Sequence, residues 1–112
     1  METLENGSLL RIFVGESDEC EGRPLYEAIV LMLRREGLAG ATVFRGIEGF
    51  GASSTIHTAR VLRLSADLPV LIECVDRRSE VERVLPILDE MVSEGLVTIE
   101  KADVRIYRGR GQ

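Results

Sequence analysis

The stretch Ala41-Thr-Val-Phe-Arg-Gly-Ile-Glu-Gly-Phe-Gly51 holds the densest set of groups suited to a small anion: Arg45, Gly46, Gly49, Phe50 and Gly51. The glycines fall at spacings of three and two. Glycine permits positive φ and admits a ligand where a Cβ would stand, so the run can turn backbone N–H groups toward a phosphate. The alternative, which spacing alone favours, is a strand at Thr42 to Phe44 that ends in a bulge and a loop. No Gly-Lys-Ser/Thr follows, and Gly-x-x-Gly-x-Gly is not the dinucleotide fingerprint, so neither nucleotide motif of that kind is present.

Other chemistry is sparse. His57 is the only histidine and lies among Ser54, Thr55 and Thr58, where a surface side chain is the commoner meaning. Cys20 and Cys74 are too few and too far apart for a zinc signature or a disulfide framework. Cys74 reads as a small buried hydrophobe, and Cys20, among Glu16, Asp18, Glu19 and Glu21, as an exposed thiol. Neither has a neighbouring histidine to form a nucleophile pair. A metal role for His57 with Cys74 or Asp67 lacks ligand spacing. The chain therefore reads as a non-enzyme with no resident cofactor and no metal.

At 112 residues the chain is one domain, large enough for a core without staples. Its apolar fraction of 45% and charged fraction of 29% are those of a soluble globule. No apolar run approaches the ~20 residues of a membrane helix, and the acidic Met1-Glu-Thr-Leu-Glu lacks the basic region of a signal peptide. A cytoplasmic location without membrane insertion is the expectation. The net charge of −5 argues against nucleic acid as a partner. The cations are thirteen arginines and Lys101 alone. Arginine's planar fork suits discrete anion sites, although codon bias is the commoner cause of such a total.

The elements that position these groups follow from periodicity. Residues 1–8 read as a loose terminus. Leu9 to Val14 alternates Leu10, Ile12 and Val14 against Leu9, Arg11 and Phe13, a strand with one charge on its second face. An acidic loop runs from Gly15 to Gly22. Pro24 opens a helix carried by Leu25, Ala28, Ile29, Met32 and Leu33 and closed by Gly37. Residues 52–67 form a long loop of weak pattern, a length that usually has a function. Leu68 to Val75 is a second apolar strand, with Val70, Ile72 and Cys74 opposite Leu71, Glu73 and Val75. Ser79-Glu-Val-Glu82 reads as a capping box for a helix whose stripe is Val81, Val84, Leu85, Leu88, Met91 and Val92, interrupted by Pro86 and ended by Gly95. Leu96 to Glu100 and Val104 to Tyr107 form a final strand pair before a basic tail over 108–112.

This order predicts an α+β fold, the ferredoxin-like βαββαβ sandwich, with a four-stranded antiparallel sheet and both helices on one face. The other face would carry Leu9, Phe13, Leu71 and Val75 and is too apolar for water, so it is expected to be an oligomer interface. Arg11 and Glu73 share that face on neighbouring strands and need each other or another subunit if it is buried.

Arg45-Gly-Ile-Glu-Gly-Phe-Gly51, Leu68-Pro-Val-Leu-Ile-Glu-Cys-Val75 and Glu94-Gly-Leu-Val-Thr98 resemble the PII signalling superfamily, most closely its poorly characterised PII-like branch of bacteria and archaea. The resemblance spans roughly residues 9–108. It implies a homotrimer with sheets inside and helices outside, and nucleotide clefts between subunits at the base of the long loop, called the T-loop. It also implies that the backbone of Gly49, Phe50 and Gly51 approaches the phosphates of a bound adenine nucleotide, which would be an effector rather than a cofactor. By the same resemblance Ile72 and Glu73 lie beside the cleft, and Arg105 or Arg108 reaches phosphate. Two departures bear on ligand identity: the second helix is followed by Ser93 to Lys101 without a Gly-Lys loop, and 52–67 contains no tyrosine. Both weaken the expectation of ATP and 2-oxoglutarate sensing.

Two functional expectations result. One is a trimeric sensor whose anionic ligand, a nucleotide, alters the loop so that Ser53, Ser54, Thr55, His57 and Arg60 meet a regulated protein such as a membrane transporter. The other is a ligand-independent trimeric module that only presents its loops.

Overall fold

Alternation of buried and half-buried residues along two long strands builds the centre of the molecule. The computed structural model describes residues 1–50 and 67–109. Its elements are β1 (Glu2–Leu4), β2 (Gly7–Gly15), β3 (Glu19–Cys20), β4 (Arg23–Pro24), α1 (Leu25–Arg35), β5 (Thr42–Arg45), β6 (Pro69–Arg77), α2 (Arg78–Met91), β7 (Leu96–Lys101) and β8 (Val104–Ile106). The main sheet has the order β5-β6-β2-β7, every neighbouring pair antiparallel. This is the expected ferredoxin-like arrangement: Leu10, Ile12, Val14, Val70, Ile72 and Cys74 point to one face and are buried with Ile29, Met32, Val81 and Leu88 of the two helices. Each of the leucine, isoleucine, valine and methionine side chains among these contributes about 1.5–3 kcal/mol by leaving water.

Helix α1 ends as its glycine foretells. Gly37 adopts φ 85, and the N–H groups of Gly37 and Leu38 donate to the carbonyls of Arg34 and Leu33 at 3.1 Å each. This paired closure occupies two carbonyls that the helix leaves free, and buries Leu38 beside Leu33.

Several expectations are corrected. The terminus is not loose over 1–8: β1 pairs with β8, and Gly7 and Ser8 already belong to β2. The final strands are therefore not paired with each other, since β7 joins β2 while β8 leaves to form a ribbon with β1. The acidic loop contains a hairpin, β3 with β4, turned through Glu21 at φ 51 and Gly22 at φ 80. Cys20 is half-buried against the core rather than exposed.

No capping box forms at Ser79, because β6 runs without a loop into α2 and makes Arg78 the first helical residue. The entry is satisfied instead by Arg77 N–H to Asp76 Oδ1 at 2.7 Å and Arg78 N–H to the Asn6 carbonyl at 2.8 Å. Glu82 pairs with Arg78 at 2.7 Å. The helix ends at Met91, before Gly95. Gly95 is required for another reason: a Cβ there would lie 2.6 Å from the Phe13 carbonyl oxygen.

Candidate functional site

The face of the sheet away from the helices is laid out in rows by the strand register. Phe44, Leu71, Phe13 and Leu96 stand side by side across all four strands. The next row is polar, Thr42, Glu73, Arg11 and Thr98, and beyond it lie Val75, Leu9 and Glu100. Arg11 donates from Nε to Glu73 Oε2 and from Nη1 to Glu100 Oε1, both at 2.9 Å. The expected proximity of Arg11 and Glu73 is therefore present. Glu100, which sequence reasoning missed, is a second carboxylate on the same cation. Its place was readable only once the β2·β7 register was known. Phe44 at 48% and Leu96 at 59% exposure leave the ends of the apolar row facing water.

At one end of this sheet, the C-terminal ends of β2 and β5 flank the start of β6. Gly46 donates its N–H to the Pro69 carbonyl at 2.7 Å, and a Cβ on Gly46 would lie 2.7 Å from Pro69 Cγ. A Cβ on Gly49 would lie 3.0 Å from the same atom. Neither glycine has a positive φ. Both are small because Pro69 presses against them, which corrects the expectation that positive φ turns their N–H groups outward. Arg45 forms an ion pair with Glu16, just past β2. Ile47 and Phe50 are largely exposed nearby.

The remaining sequence-derived candidates divide. Ile72 is 0% exposed under the helices, on the face opposite Glu73, so its side chain is not available to a ligand on the open face. Arg105 lies 5.9 Å above the Tyr107 ring, and Arg108 donates to Glu2 at 2.7 Å. Both belong to the segment that departs where Gly7 opens β2, and β2 spans about 27 Å from there to Gly15. Within one chain, the fold does not bring them to Arg45. Gly51, Ser53, Ser54, Thr55, His57 and Arg60 lie outside the described residues, as does the loop over 52–66.

One structural group was also missed, while Cys74 is buried as expected. Asp76 is buried and accepts from Arg77 N–H at 2.7 Å and Ala39 N–H at 2.9 Å, tying the segment after α1 to β6. Burial, with the Asp76 charge added, pushes the Cys74 thiol up to about 11, against a smaller opposing effect of a backbone hydrogen bond with Gly40. Among the described residues no three of His, Cys, Asp and Glu converge as metal ligands, and no helix is long and apolar enough to cross a membrane.

Comparison with known proteins fits this geometry. The family model DUF190, described as "Uncharacterized ACR, COG1993", matches residues 7–104. The UPF0166 protein MJ1524 of Methanocaldococcus jannaschii is 42% identical over 102 residues, covering 90% of this chain and 92% of the relative. A UPF0166 protein of Aquifex aeolicus is 37% identical over 98 residues, covering 86% and 90%. Among solved structures, CPII from Thiomonas intermedia K12, bound to ADP and bicarbonate, superposes with a TM-score of 0.56 over 88% of this chain and 87% of that one, at 19% identity. That likeness supports the fold.

Proposed function

Since the chain belongs to the DUF190 family and has a PII-like fold, we propose that it is a regulatory protein acting as a homotrimer that binds a small anionic ligand, an adenine nucleotide, between subunits. The observation that carries this reading is the open sheet face. A row of four large apolar side chains beside one arginine and two carboxylates is costly to leave in water and suits a second and third copy. A site combining Arg45 with Arg105 or Arg108 needs two copies, because within one chain Arg45 lies near the Gly15 end of β2 whereas Arg105 and Arg108 lie in the β1–β8 ribbon and the segment after it, beyond the Gly7 end. Gly49, Phe50, Gly51 and Glu73 would border it. ADP in CPII supports the choice of nucleotide. Residues 52–67 would then meet the regulated protein, with a membrane transporter as the first class to test.

Calorimetric titration with ADP and ATP tests the ligand. Saturable binding is expected, and absence of both heat and thermal protection at millimolar concentration contradicts the nucleotide assignment.

One observation favours the ligand-independent module instead. Gly46 and Gly49 are accounted for by Pro69, and Arg45 already has a carboxylate. On that reading, deleting residues 53–64 abolishes capture of the regulated protein while added nucleotide changes nothing.

A further inference from the structure

The ion pair between Arg45 and Glu16 is asymmetric. The Arg45 side chain is 62% exposed and the Glu16 side chain only 18%. An ion pair exposed at both ends contributes little, but here the carboxylate is drawn inward while the guanidinium faces solvent. Glu16 Oε1 is buried and accepts no hydrogen bond among the described residues. A buried carboxylate oxygen without a donor is unfavourable, so this carboxylate is only partly satisfied where it sits.

The backbone nevertheless fixes it there. Glu16 N–H donates to the Leu68 carbonyl at 2.7 Å, and Ser17 N–H to Asp67 Oδ1 at 3.0 Å. Gly15 N–H donates to Asp18 Oδ2 at 2.9 Å. A Cβ at Gly15 would meet the Asp67 and Asp18 carboxylates at 3.0 and 3.2 Å, which keeps this turn close against the start of β6. Glu16 is thus positioned by main-chain bonds that do not depend on its side chain.

We infer that Glu16 is a built-in stand-in for the anionic ligand, occupying the guanidinium of Arg45 until a phosphate-type anion displaces it. The inference rests on the proposal that Arg45 takes part in the ligand site. A planar guanidinium holds a phosphate-type oxyanion through two parallel hydrogen bonds. A divalent phosphate can therefore outcompete one half-satisfied carboxylate, whereas a simple monocarboxylate gains nothing by the exchange. Glu16 reduces apparent affinity to the share of time it leaves the guanidinium free, and so sets both a threshold and a preference for phosphate-type anions.

Glu16→Gln removes the charge and keeps the shape and the main-chain bonds. Wild type and variant are titrated with ADP and with inorganic pyrophosphate, and Arg45 is labelled with phenylglyoxal in the absence of ligand and followed by peptide mass. The expected result is roughly tenfold tighter binding of both anions to the variant, several-fold faster labelling of Arg45, and loss of the affinity gain when Arg45→Gln is added. Equal ADP affinity in the two proteins overturns the inference and leaves the proposed function standing. If neither protein binds ADP, the nucleotide assignment falls and labelling alone decides: faster labelling of Arg45 in the variant supports the masking role, and equal labelling overturns it. Should Glu16→Gln fail to fold, Glu16→Asp, which withdraws the carboxylate by one methylene, is expected to shift both readouts in the same direction.

Discussion

Arg11 faces Glu73 directly across the centre of the sheet, 2.9 Å from Nε to Oε2, and holds Glu100 with its other arm at the same distance. One cation thus serves two carboxylates on a face that also carries Leu9, Phe13, Leu71 and Val75. In a single chain this cluster is half-exposed and contributes little. Covered by other copies it is desolvated, and each charge then depends on its partner.

Arg11→Met leaves Glu73 and Glu100 without their cation. Loss of one member of a covered pair costs about 3–5 kcal/mol, so the variant is expected to dissociate at concentrations where wild type stays assembled. The triple substitution Arg11→Met, Glu73→Met and Glu100→Met, which leaves no charge of the cluster behind, is expected to regain much of the assembly. A sedimentation velocity series over concentration checks both.

Gly95→Ala drives a Cβ to 2.6 Å from the Phe13 carbonyl oxygen, and Gly7→Ala drives one to 2.6 Å from the Ala102 carbonyl oxygen. Neither backbone atom can yield as a flexible side chain would, so each change is expected to destabilise by roughly 1–3 kcal/mol. Gly40→Ala is the control, with nothing within 4 Å of the added carbon. Urea denaturation should separate the first two from the third.

Asp76→Ala leaves the Ala39 and Arg77 N–H groups without their carboxylate acceptor. A loss of about 1–3 kcal/mol is expected, with hydrogen exchange rising first at Ala39.

Cys74 is held neutral by burial, its folded value being about 11 against 9.0. Because the folded value is raised, its contribution to stability is fully present below pH 9 and is lost as pH rises through about 11. Wild type should therefore lose more stability than Cys74→Ala between those limits. Native Cys74 should resist iodoacetamide at pH 9, while Cys20 reacts more readily.

The strands β2 and β6 were legible because their alternation is strict, and parity alone put Arg11 and Glu73 on one face. Where tertiary contacts replaced local signals, the sequence misled. Ser79 and Glu82 have the spacing of a capping box, but an uninterrupted run from β6 into α2 moves the helix start to Arg78. The ribbon of β1 with β8 is three residues wide on each side, too short for a period to show. Glu16 looked like one acid among several in a loop, and only folding brings it to Arg45. Gly46 and Gly49 drew attention as possible phosphate turns, yet their packing on Pro69 is invisible without the β5·β6 pairing.

The central claim is that sister copies cover the face bearing Arg11, Phe13 and Leu71. Sedimentation equilibrium at micromolar concentration tests it most directly: the account predicts a single species at three times the chain mass of 12.4 kDa, and a stable particle of 12.4 kDa would contradict it.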